Sequence, residues 1–310
     1  MTTTYAARRL AGPCPGCGST DAEQAFVGRD FLLGVRGEWT YVRCVGCGSV
    51  IADPQPTVEE LQAAYAPSYR PHRDDRSLVE RVAEPLARRE TAWLVAHADP
   101  CSLAVDIGCG AGAILRRLRE TGWRGQLRGV EPNPEVAARV SKALSLPVDV
   151  APVEALPDDA RGAGLIVLRH VIEHVRDPRA VMHLLHGAVA PDGLIYVATP
   201  DRRALAERVF GRYWFGYDPP RHLYAFTREG VHGLLAASGF SVVAERWDYA
   251  PQMWSGSLHN RLNVSPLFAR RADLFASLLN PLVGGPAAVL GLLEVLLHRS
   301  TMYGVLARRV

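Results

Sequence analysis

Four cysteines near the N-terminus are spaced as metal ligands. Cys14 and Cys17 form one Cys-x-x-Cys pair, Cys44 and Cys47 form a second, and 26 residues separate the two pairs. In each pair the thiolates converge on one face of a turn, and two pairs complete a tetrahedral zinc site. Four thiolates leave no open coordination position, so the predicted Zn²⁺ is structural rather than catalytic. The alternative is four reduced cysteines without a metal.

A glycine-rich segment, Asp106-Ile-Gly-Cys-Gly-Ala-Gly112, lies between an apolar run and a helical pattern. Its alternating glycines allow the backbone to turn tightly and to approach a ligand without a Cβ clash. Glu131 follows 19 positions after Gly112, at the end of the next apolar run, where a carboxylate can accept hydrogen bonds from a ribose diol. The alternatives are a plain strand–helix turn or a nicotinamide site, whose fingerprint is Gly-x-Gly-x-x-Gly.

The segment 106–112 with Glu131 resembles motif I and the following acidic residue of class I S-adenosylmethionine-dependent methyltransferases. A second segment, Val171-Ile-Glu-His-Val-Arg-Asp-Pro178, resembles the Leu-Glu-His-Val-x-Asp-Pro stretch of one branch of that superfamily. That branch includes ubiquinone-pathway O-methyltransferases and sugar methyltransferases, and the resemblance covers residues 98–250 and 301–310. A four-cysteine module ahead of such a core also resembles sugar C-methyltransferases of deoxysugar pathways, although those carry a further C-terminal domain.

The resemblance implies S-adenosylmethionine as cofactor and indicates which residues hold it. Asp106 and the glycines would place the cofactor, and Glu131 would hold its ribose. Relatives often carry an aspartate beside the adenine where this chain has Pro152, so we expect Val153 or Glu154 to serve there. The complete set assigned to the cofactor is Asp106, Gly108, Cys109, Gly110, Gly112, Glu131, Pro132, Val153, Glu154 and His170.

Two histidines are candidates for a general base. His174 follows Glu173 just past the fourth predicted strand, and His222 lies in a loop after the fifth that matches the Pro-x-x-His-x-x-x-Phe-Thr stretch of relatives. Histidine titrates near neutrality and can accept the proton of a hydroxyl acceptor. The alternatives are structural histidines bonded to backbone, or a divalent cation held by Glu173 and His174. We expect the acceptor to contact Glu173, Tyr213, Trp214 and Tyr217.

Strand and helix patterns alternate from residue 98 onward. Apolar runs at 103–107, 127–131, 147–150, 165–168, 193–198, 241–249 and 301–307 predict strands, with helical patterns between most of them. This order predicts an α/β fold: a doubly wound, mostly parallel seven-stranded sheet with a small N-terminal zinc ribbon. The predicted domains are a zinc-ribbon-like module at 1–56, a helical connector at 57–97 and a methyltransferase domain at 98–310.

An apolar insertion at 251–300 separates the last two predicted strands. Its segment 274–297 is apolar nearly all round, which is typical of a buried helix, so we expect a buried lid over the active site. The alternative is a peripheral membrane contact, or a surface that grips a lipid-linked acceptor.

Composition limits the classes of function. The net charge of +3 is too small to indicate nucleic-acid binding by itself. We find neither an export signal nor an apolar run long enough to span a membrane, so we expect a cytoplasmic protein with reduced cysteines.

The sequence therefore predicts an S-adenosylmethionine-dependent methyltransferase that acts on a hydroxyl of a sugar or sugar-containing small molecule, with a carbon acceptor as second choice. One rival hypothesis is a ribosomal RNA methyltransferase whose zinc ribbon grips RNA. The other is a catalytically silent interaction module that keeps the cofactor fold.

Overall fold

The computed structural model describes residues 7–65, 78–265, 267, 268, 272 and 276–310. Within these ranges two sheets and the helices that cover them are arranged around the carboxyl edge of the larger sheet. Part of the predicted connector, residues 66–77, lies outside the described residues.

The larger sheet has seven strands and confirms the predicted fold class. Its spatial order is β11-β12-β9-β8-β5-β6-β7, and every neighbouring pair is parallel except those that β12 makes. The strands are β5 (Ala104–Ile107), β6 (Leu127–Val130), β7 (Val148–Asp149), β8 (Ala163–Arg169), β9 (Val189–Pro200), β11 (Phe240–Asp248) and β12 (Met302–Arg309).

Helices cover both faces of this sheet because its strands are apolar on both sides. In β8, Ile166 and Leu168 enter one core while Leu165 and Val167 enter the other. The covering helices are α2 (Leu78–His97), α3 (Ala113–Thr121), α4 (Pro134–Leu144), α5 (Pro178–Ala188) and α7 (Arg228–Ala237).

Three of these helices begin at residue types that favour a helix N-terminus. Asn133 and Asp177 cap α4 and α5 through their side chains, and a proline follows each cap. Thr227 caps α7 by accepting a hydrogen bond from the backbone of Gly230.

The smaller sheet is antiparallel and contains β1 (Ala7–Arg9), β2 (Asp21–Gly28), β3 (Trp39–Cys44) and β4 (Val50–Ala52). Its fifth strand, β10 (Tyr224–Ala225), pairs with β4 and comes from the loop that follows β9. The N-terminal segment therefore shares a sheet with the segment 98–310. A short helix, α1 (Val58–Ala64), follows β4 and begins with a capping box at Thr57.

The insertion contains α8 (Pro251–Asn263) and α9 (Pro281–Leu296), and α6 (Leu205–Phe210) packs beside them. Within the described part of the segment 274–297, residues 276–297, the expectation of burial is wrong for α9. α9 turns Ala287, Gly291 and Glu294 inward and exposes large apolar side chains to solvent at Leu282, Val289, Leu292, Leu293 and Leu296, with Leu297 just beyond it. Mean hydropathy reports how apolar a helix is but not which of its faces meets the core.

Among the described helices, none combines the length and the apolar composition needed to cross a bilayer.

The close approach of Gly16 to α7 gives a stability prediction. A Cβ on Gly16 would lie 2.7 Å from the carbonyl oxygen of Gly230, so Gly16→Ala should lower the free energy of unfolding by about 1–3 kcal/mol. Urea unfolding measures this, with Gly12→Ala as the matched control because nothing lies within 4 Å of its added Cβ. Equal unfolding midpoints for the two variants would contradict this docking contact.

Candidate active site

The glycine segment forms the loop between β5 and α3 as predicted. Gly108, Gly110 and Gly112 all have left-handed backbone, with φ of 67°, 49° and 73°. A Cβ on Gly108 would approach Val171 to 2.7 Å, and a Cβ on Gly112 would approach Val140 to the same distance. Glycine is thus required both for the turn and for its packing against the neighbouring segments.

Glu131, directly after β6, ties this loop to the next strand. One carboxylate oxygen accepts a hydrogen bond from the backbone N–H of Gly110 at 3.0 Å, and the other accepts from that of Asn133 at 3.0 Å. A carboxylate has about four acceptor positions. The buried Glu131 therefore shapes the loop and keeps acceptor capacity for a further donor, such as a ribose hydroxyl.

A buried charge network lies behind the loop. Burial raises the pKa of Asp106 to about 8, opposed by the positive charge of Arg169. Arg169 at the end of β8 binds Glu90 of α2, and Glu90 also accepts from the hydroxyl of Tyr196 at 2.9 Å. Sequence reasoning missed Glu90, since a single acidic residue in a helical pattern gives no signal of burial.

The other residues assigned to the cofactor lie along the same edge of the sheet, and their cofactor contacts stay predictions. Pro132 is exposed beside Glu131. Val153 is buried in a short 3₁₀ turn, next to the exposed Glu154. Cys109 is buried, and burial raises the pKa of its thiol above the usual range.

The two candidate bases lie side by side. The ring centroids of His174 and His222 are 4.6 Å apart and the rings are nearly perpendicular. A carboxylate oxygen of Glu173 and one ring nitrogen of each histidine all lie within 4.8 Å of one another. The structure thus joins the ends of β8 and β9, which are distant in sequence, in one polar cluster at the carboxyl edge, where open α/β sheets bind their ligands.

Glu173 is the buried anion of this cluster. One of its oxygens lies 3.2 Å from Nδ1 of His170, and the other accepts from the hydroxyl of Thr199 at 3.0 Å. Burial would raise the pKa of Glu173, but the His170 bond and the nearby imidazoles lower it to about 2. His170 itself has a left-handed backbone, with φ of 56°, a conformation that concentrates at functional sites.

Backbone carbonyls orient both histidine rings. Nδ1 of His174 lies 3.0 Å from the carbonyl oxygen of Arg221 and 2.9 Å from the hydroxyl of Tyr65, and Nδ1 of His222 lies 2.8 Å from the carbonyl oxygen of Gly216. A neutral ring with its proton on Nδ1 keeps a lone pair on Nε2. Burial and the neighbouring His222 lower the pKa of His174 to about 4, so its ring is neutral at physiological pH and able to accept a proton.

An ion cluster beneath the histidines was not predicted. The guanidinium of Arg221 is fully buried and makes two hydrogen bonds to Asp30, at 2.9 and 3.0 Å, and two to Asp218. Asp30 belongs to the loop between β2 and β3, so the partner comes from the N-terminal sheet. A lone aspartate 191 positions away gives no local sequence signal.

The three aromatic residues expected to contact the acceptor have different environments. Trp214 and Tyr217 are buried, and their polar atoms are bonded to Thr301 and Glu207 respectively. Tyr213 is half-buried, packed against Phe31. The acceptor roles stay predictions, and the packing already accounts for Trp214 and Tyr217.

The four N-terminal cysteine sulfurs lie within 4.8 Å of one another. Ideal tetrahedral coordination at about 2.3 Å from a zinc ion needs sulfurs only slightly farther apart than the shortest separations, 3.5 and 3.6 Å. Each pair closes a tight turn: the N–H of Gly18 donates to the carbonyl of Cys14, and that of Gly48 donates to the carbonyl of Cys44. The arrangement fits a structural zinc ion.

Comparison with known families gives one match over more than half of the chain. A model of a methyltransferase domain family matches residues 76–245. Among curated proteins, a ubiquinone biosynthesis O-methyltransferase of Methylobacterium sp. (strain 4-46) is 33% identical over 169 residues, which is 47% of this chain and 66% of that protein. The one of Rhizobium leguminosarum bv. trifolii is 32% identical over 184 residues, covering 55% of this chain and 72% of that protein.

Solved structures share the fold at low identity. A 1,6-didemethyltoxoflavin-N1-methyltransferase of Burkholderia thailandensis, solved with S-adenosylhomocysteine, aligns with a TM-score of 0.52 and 15% identity over 86% of this chain and 97% of that one. The [4+2]-cyclase SpnF aligns with a TM-score of 0.50 and 16% identity over 76% and 84% of the two chains. The shared fold thus includes a protein named for a different reaction.

The lowered pKa of His174 predicts acid-sensitive stability. The folded state binds a proton at His174 only near pH 4, whereas an unfolded histidine binds one near 6.5, so unfolding becomes easier as pH falls through this interval. Between pH 7.5 and 5 this group should remove about 2 kcal/mol from the free energy of unfolding. Urea unfolding of His174→Gln should show a flatter pH dependence, while the exposed control His183→Gln should follow the unsubstituted protein. If the free energy of unfolding depends on pH in the same way for the unsubstituted protein and for both variants, His174 is not buried as a neutral ring.

Proposed function

Because this chain belongs to the methyltransferase domain family, within the class I S-adenosylmethionine-dependent methyltransferases, we propose that it methylates a hydroxyl of a sugar or sugar-containing small molecule. The observation that carries the proposal is the placement of the histidine pair at the same sheet edge as the loop between β5 and α3. The curated relatives are named as O-methyltransferases, which favours an oxygen acceptor over carbon.

The chain's own residues fit the cofactor. S-adenosylmethionine, when bound, supplies a methyl group already activated on a sulfonium. The left-handed glycines bring backbone close to a ligand, and the N-terminus of α3 at Gly112 favours an anionic group. Glu131 would accept hydrogen bonds from the ribose with the acceptor capacity left after its backbone bonds.

The histidine pair would remove the acceptor proton. Bound S-adenosylmethionine would supply the methyl group to the acceptor oxygen and retain the sulfur as a neutral thioether, while Nε2 of His174 or His222 would take the hydroxyl proton. A neutral imidazole can do this, and a ring whose Nδ1 donates to a backbone carbonyl keeps Nε2 as its basic atom. Holding the reactants in line supplies up to about 7–11 kcal/mol, and the base adds roughly two to four decades in rate.

A divalent cation on Glu173, His174 and His222 is the alternative use of this cluster. Each carboxylate oxygen of Glu173 takes part in one hydrogen bond, with His170 or with Thr199, and keeps a further acceptor position. In the proton-acceptor role, Glu173 stabilises the charge that develops on the imidazoles.

The RNA-binding rival is less well supported. Two of the arginines that it would use are paired: Arg29 with Glu38 in the loop between β2 and β3, and Arg43 of β3 with Glu23 of β2. An arginine that is already paired with a carboxylate contributes less free energy to the binding of an RNA phosphate. Strongly salt-dependent RNA binding would revive this hypothesis.

A structural zinc ion in the four-cysteine cluster is part of the proposal. The core of the protein supports both turns: Arg179 donates to the carbonyl of Pro15, and the hydroxyl of Thr227 donates to the carbonyl of Cys47. Zinc would therefore stabilise the smaller sheet against the larger one. A cytoplasmic location, which is also part of the proposal, would keep these cysteines reduced and able to bind the metal.

The exposed face of α9 supports a peripheral contact with an anionic membrane surface. The only charged residue of α9, Glu294, is buried, where it accepts from the backbone of Ala206. In the described part of 251–300, no acidic side chain is exposed, whereas Arg261 and Arg299 are. α6 begins beside Arg299 and exposes Arg208. An apolar face flanked by cations matches an anionic bilayer interface, and it lies where β12 begins, at the sheet edge that holds the histidines.

The base assignment predicts a loss of turnover with retained cofactor binding. His174→Asn or His222→Asn should lower kcat about a hundredfold, because Asn keeps hydrogen bonding but accepts no proton. The measurement is transfer of labelled methyl to nucleotide sugars, glycolipids and RNA, with S-adenosylhomocysteine affinity by calorimetry and His183→Asn as the control. If both variants keep full turnover from pH 6 to 9, neither histidine is the base, and catalysis depends only on how the protein positions cofactor and acceptor.

For the zinc site we expect one zinc ion per chain in protein purified without chelator. Cys14→Ser and Cys44→Ser should each lose it and unfold at lower temperature, while Cys101→Ser, an exposed cysteine outside the cluster, should keep it. Elemental analysis and thermal melting measure both effects. Metal-free wild-type protein that melts normally would refute the site.

The membrane contact predicts flotation with vesicles of phosphatidylcholine and phosphatidylglycerol. The double variant Leu292→Gln, Leu296→Gln should weaken binding at least about tenfold, since each exposed leucine contributes about 1–2 kcal/mol. Val150→Gln, which alters an equally exposed apolar side chain at the far edge of the sheet, is the control. Concentration-dependent dimers that the double variant abolishes, without flotation, would assign the face to a second copy instead.

A further inference from the structure

The buried Asp30–Arg221 pair connects the N-terminal sheet to the histidine pair. Arg221 immediately precedes His222 in the chain, and its carbonyl oxygen is one of the hydrogen-bond partners of Nδ1 of His174. Its guanidinium is held on one side by Asp218, three residues earlier in the same loop, and on the other by Asp30. The side chains of Arg221 and Asp30 are both completely buried.

Asp30 is itself held rigidly by its own loop. One carboxylate oxygen accepts the backbone N–H groups of Leu32 and Leu33, both at 2.9 Å. Burial would raise the pKa of Asp30, but the bonds from Arg221 and from this backbone lower it below the usual range. Asp30 is therefore a preorganised anion. Its loop joins two strands of the N-terminal sheet, so that sheet determines where Asp30 binds the guanidinium of Arg221.

A second contact from the same sheet reaches the same loop. The hydroxyl of Tyr41 in β3 donates to the carbonyl oxygen of His222 at 3.0 Å. The Tyr41 ring is stacked on Phe26 of β2 at 4.9 Å, so its position is also set by the sheet. The N-terminal segment thus contacts both residues, Arg221 through its guanidinium and His222 through its carbonyl oxygen.

We propose that Asp30 and Tyr41 are positioning residues for the histidine pair, and that holding these rings in place is the role of the N-terminal sheet in catalysis. This proposal rests on the proposed function and extends it to residues that touch neither cofactor nor acceptor. Misplacement of a reacting group by about 1 Å can cost about a hundredfold in rate, so the sheet need not contact substrate to control turnover.

Asp30→Asn is the sharpest test because the amide oxygen can still accept from Leu32 and Leu33 while its NH₂ group no longer attracts Arg221. We expect kcat to fall at least about tenfold, with S-adenosylhomocysteine affinity and zinc content unchanged. The matched control is Glu38→Gln, which neutralises an exposed ion pair with Arg29 in the same loop and should retain full turnover.

Tyr41→Phe tests the same role if Asp30→Asn fails to fold. It removes only the hydroxyl and keeps the stacked ring, and it should lower kcat about fivefold, which is about 1 kcal/mol. Tyr303→Phe is the matched control, since its buried hydroxyl bonds Glu245 instead. If Tyr41→Phe leaves kcat unchanged, the N-terminal sheet does not position the histidines.

Histidine ring NMR separates this proposal from the proposed function. The ring signals of His174 and His222, assigned by single substitution, should shift in Asp30→Asn and Tyr41→Phe and stay in place in Glu38→Gln and Tyr303→Phe. The NMR measurement does not depend on methyl transfer. A wild-type protein without methyltransferase activity would therefore contradict the proposed reaction and leave the positioning proposal open to this test. Unshifted rings in both folded variants would overturn the positioning role.

Discussion

A guanidinium that is buried away from water must be neutralised by protein carboxylates. At Arg221 this requirement determines how the N-terminal sheet packs against the loop that carries His222. Arg221 is completely buried, and transferring a charge of this kind from water costs several kcal/mol unless close partners compensate. Asp218 supplies one anion from the same loop, but the second, Asp30, must come from the N-terminal sheet. The loop that carries His222 can therefore keep this conformation only while that sheet is docked against it.

Further contacts of the N-terminal segment stabilise this docking. Its sheet gains β10 from the loop after β9, and Gly16 packs directly against the backbone of α7. Ser49 accepts from the backbone of Thr227 beside the second cysteine pair. A four-cysteine cluster at this junction would place a metal ion where the two sheets meet, so metal binding and the geometry of the histidines would be energetically linked.

The carboxyl edge of the larger sheet combines parts with different physical origins. The loop between β5 and α3 is shaped by glycine backbone and by the carboxylate of Glu131, which directly follows the neighbouring strand β6. The histidine cluster depends on contacts between distant segments, since Glu173 follows β8 and His222 follows β9. The insertion adds an apolar surface at the same edge, which suits an acceptor delivered from a membrane interface.

The order of strands and helices in the larger sheet and the glycine loop follow from the sequence, because these features depend on local backbone preference and periodicity. The sequence also indicated the cysteine spacing and both histidines as candidates. Only the tertiary structure decided that the rings of those histidines meet and that Asp30 neutralises Arg221, since such contacts depend on how distant segments pack. The exposure of α9 was decided in the same way, because an apolar helix can bury its small residues and leave its leucines in solvent.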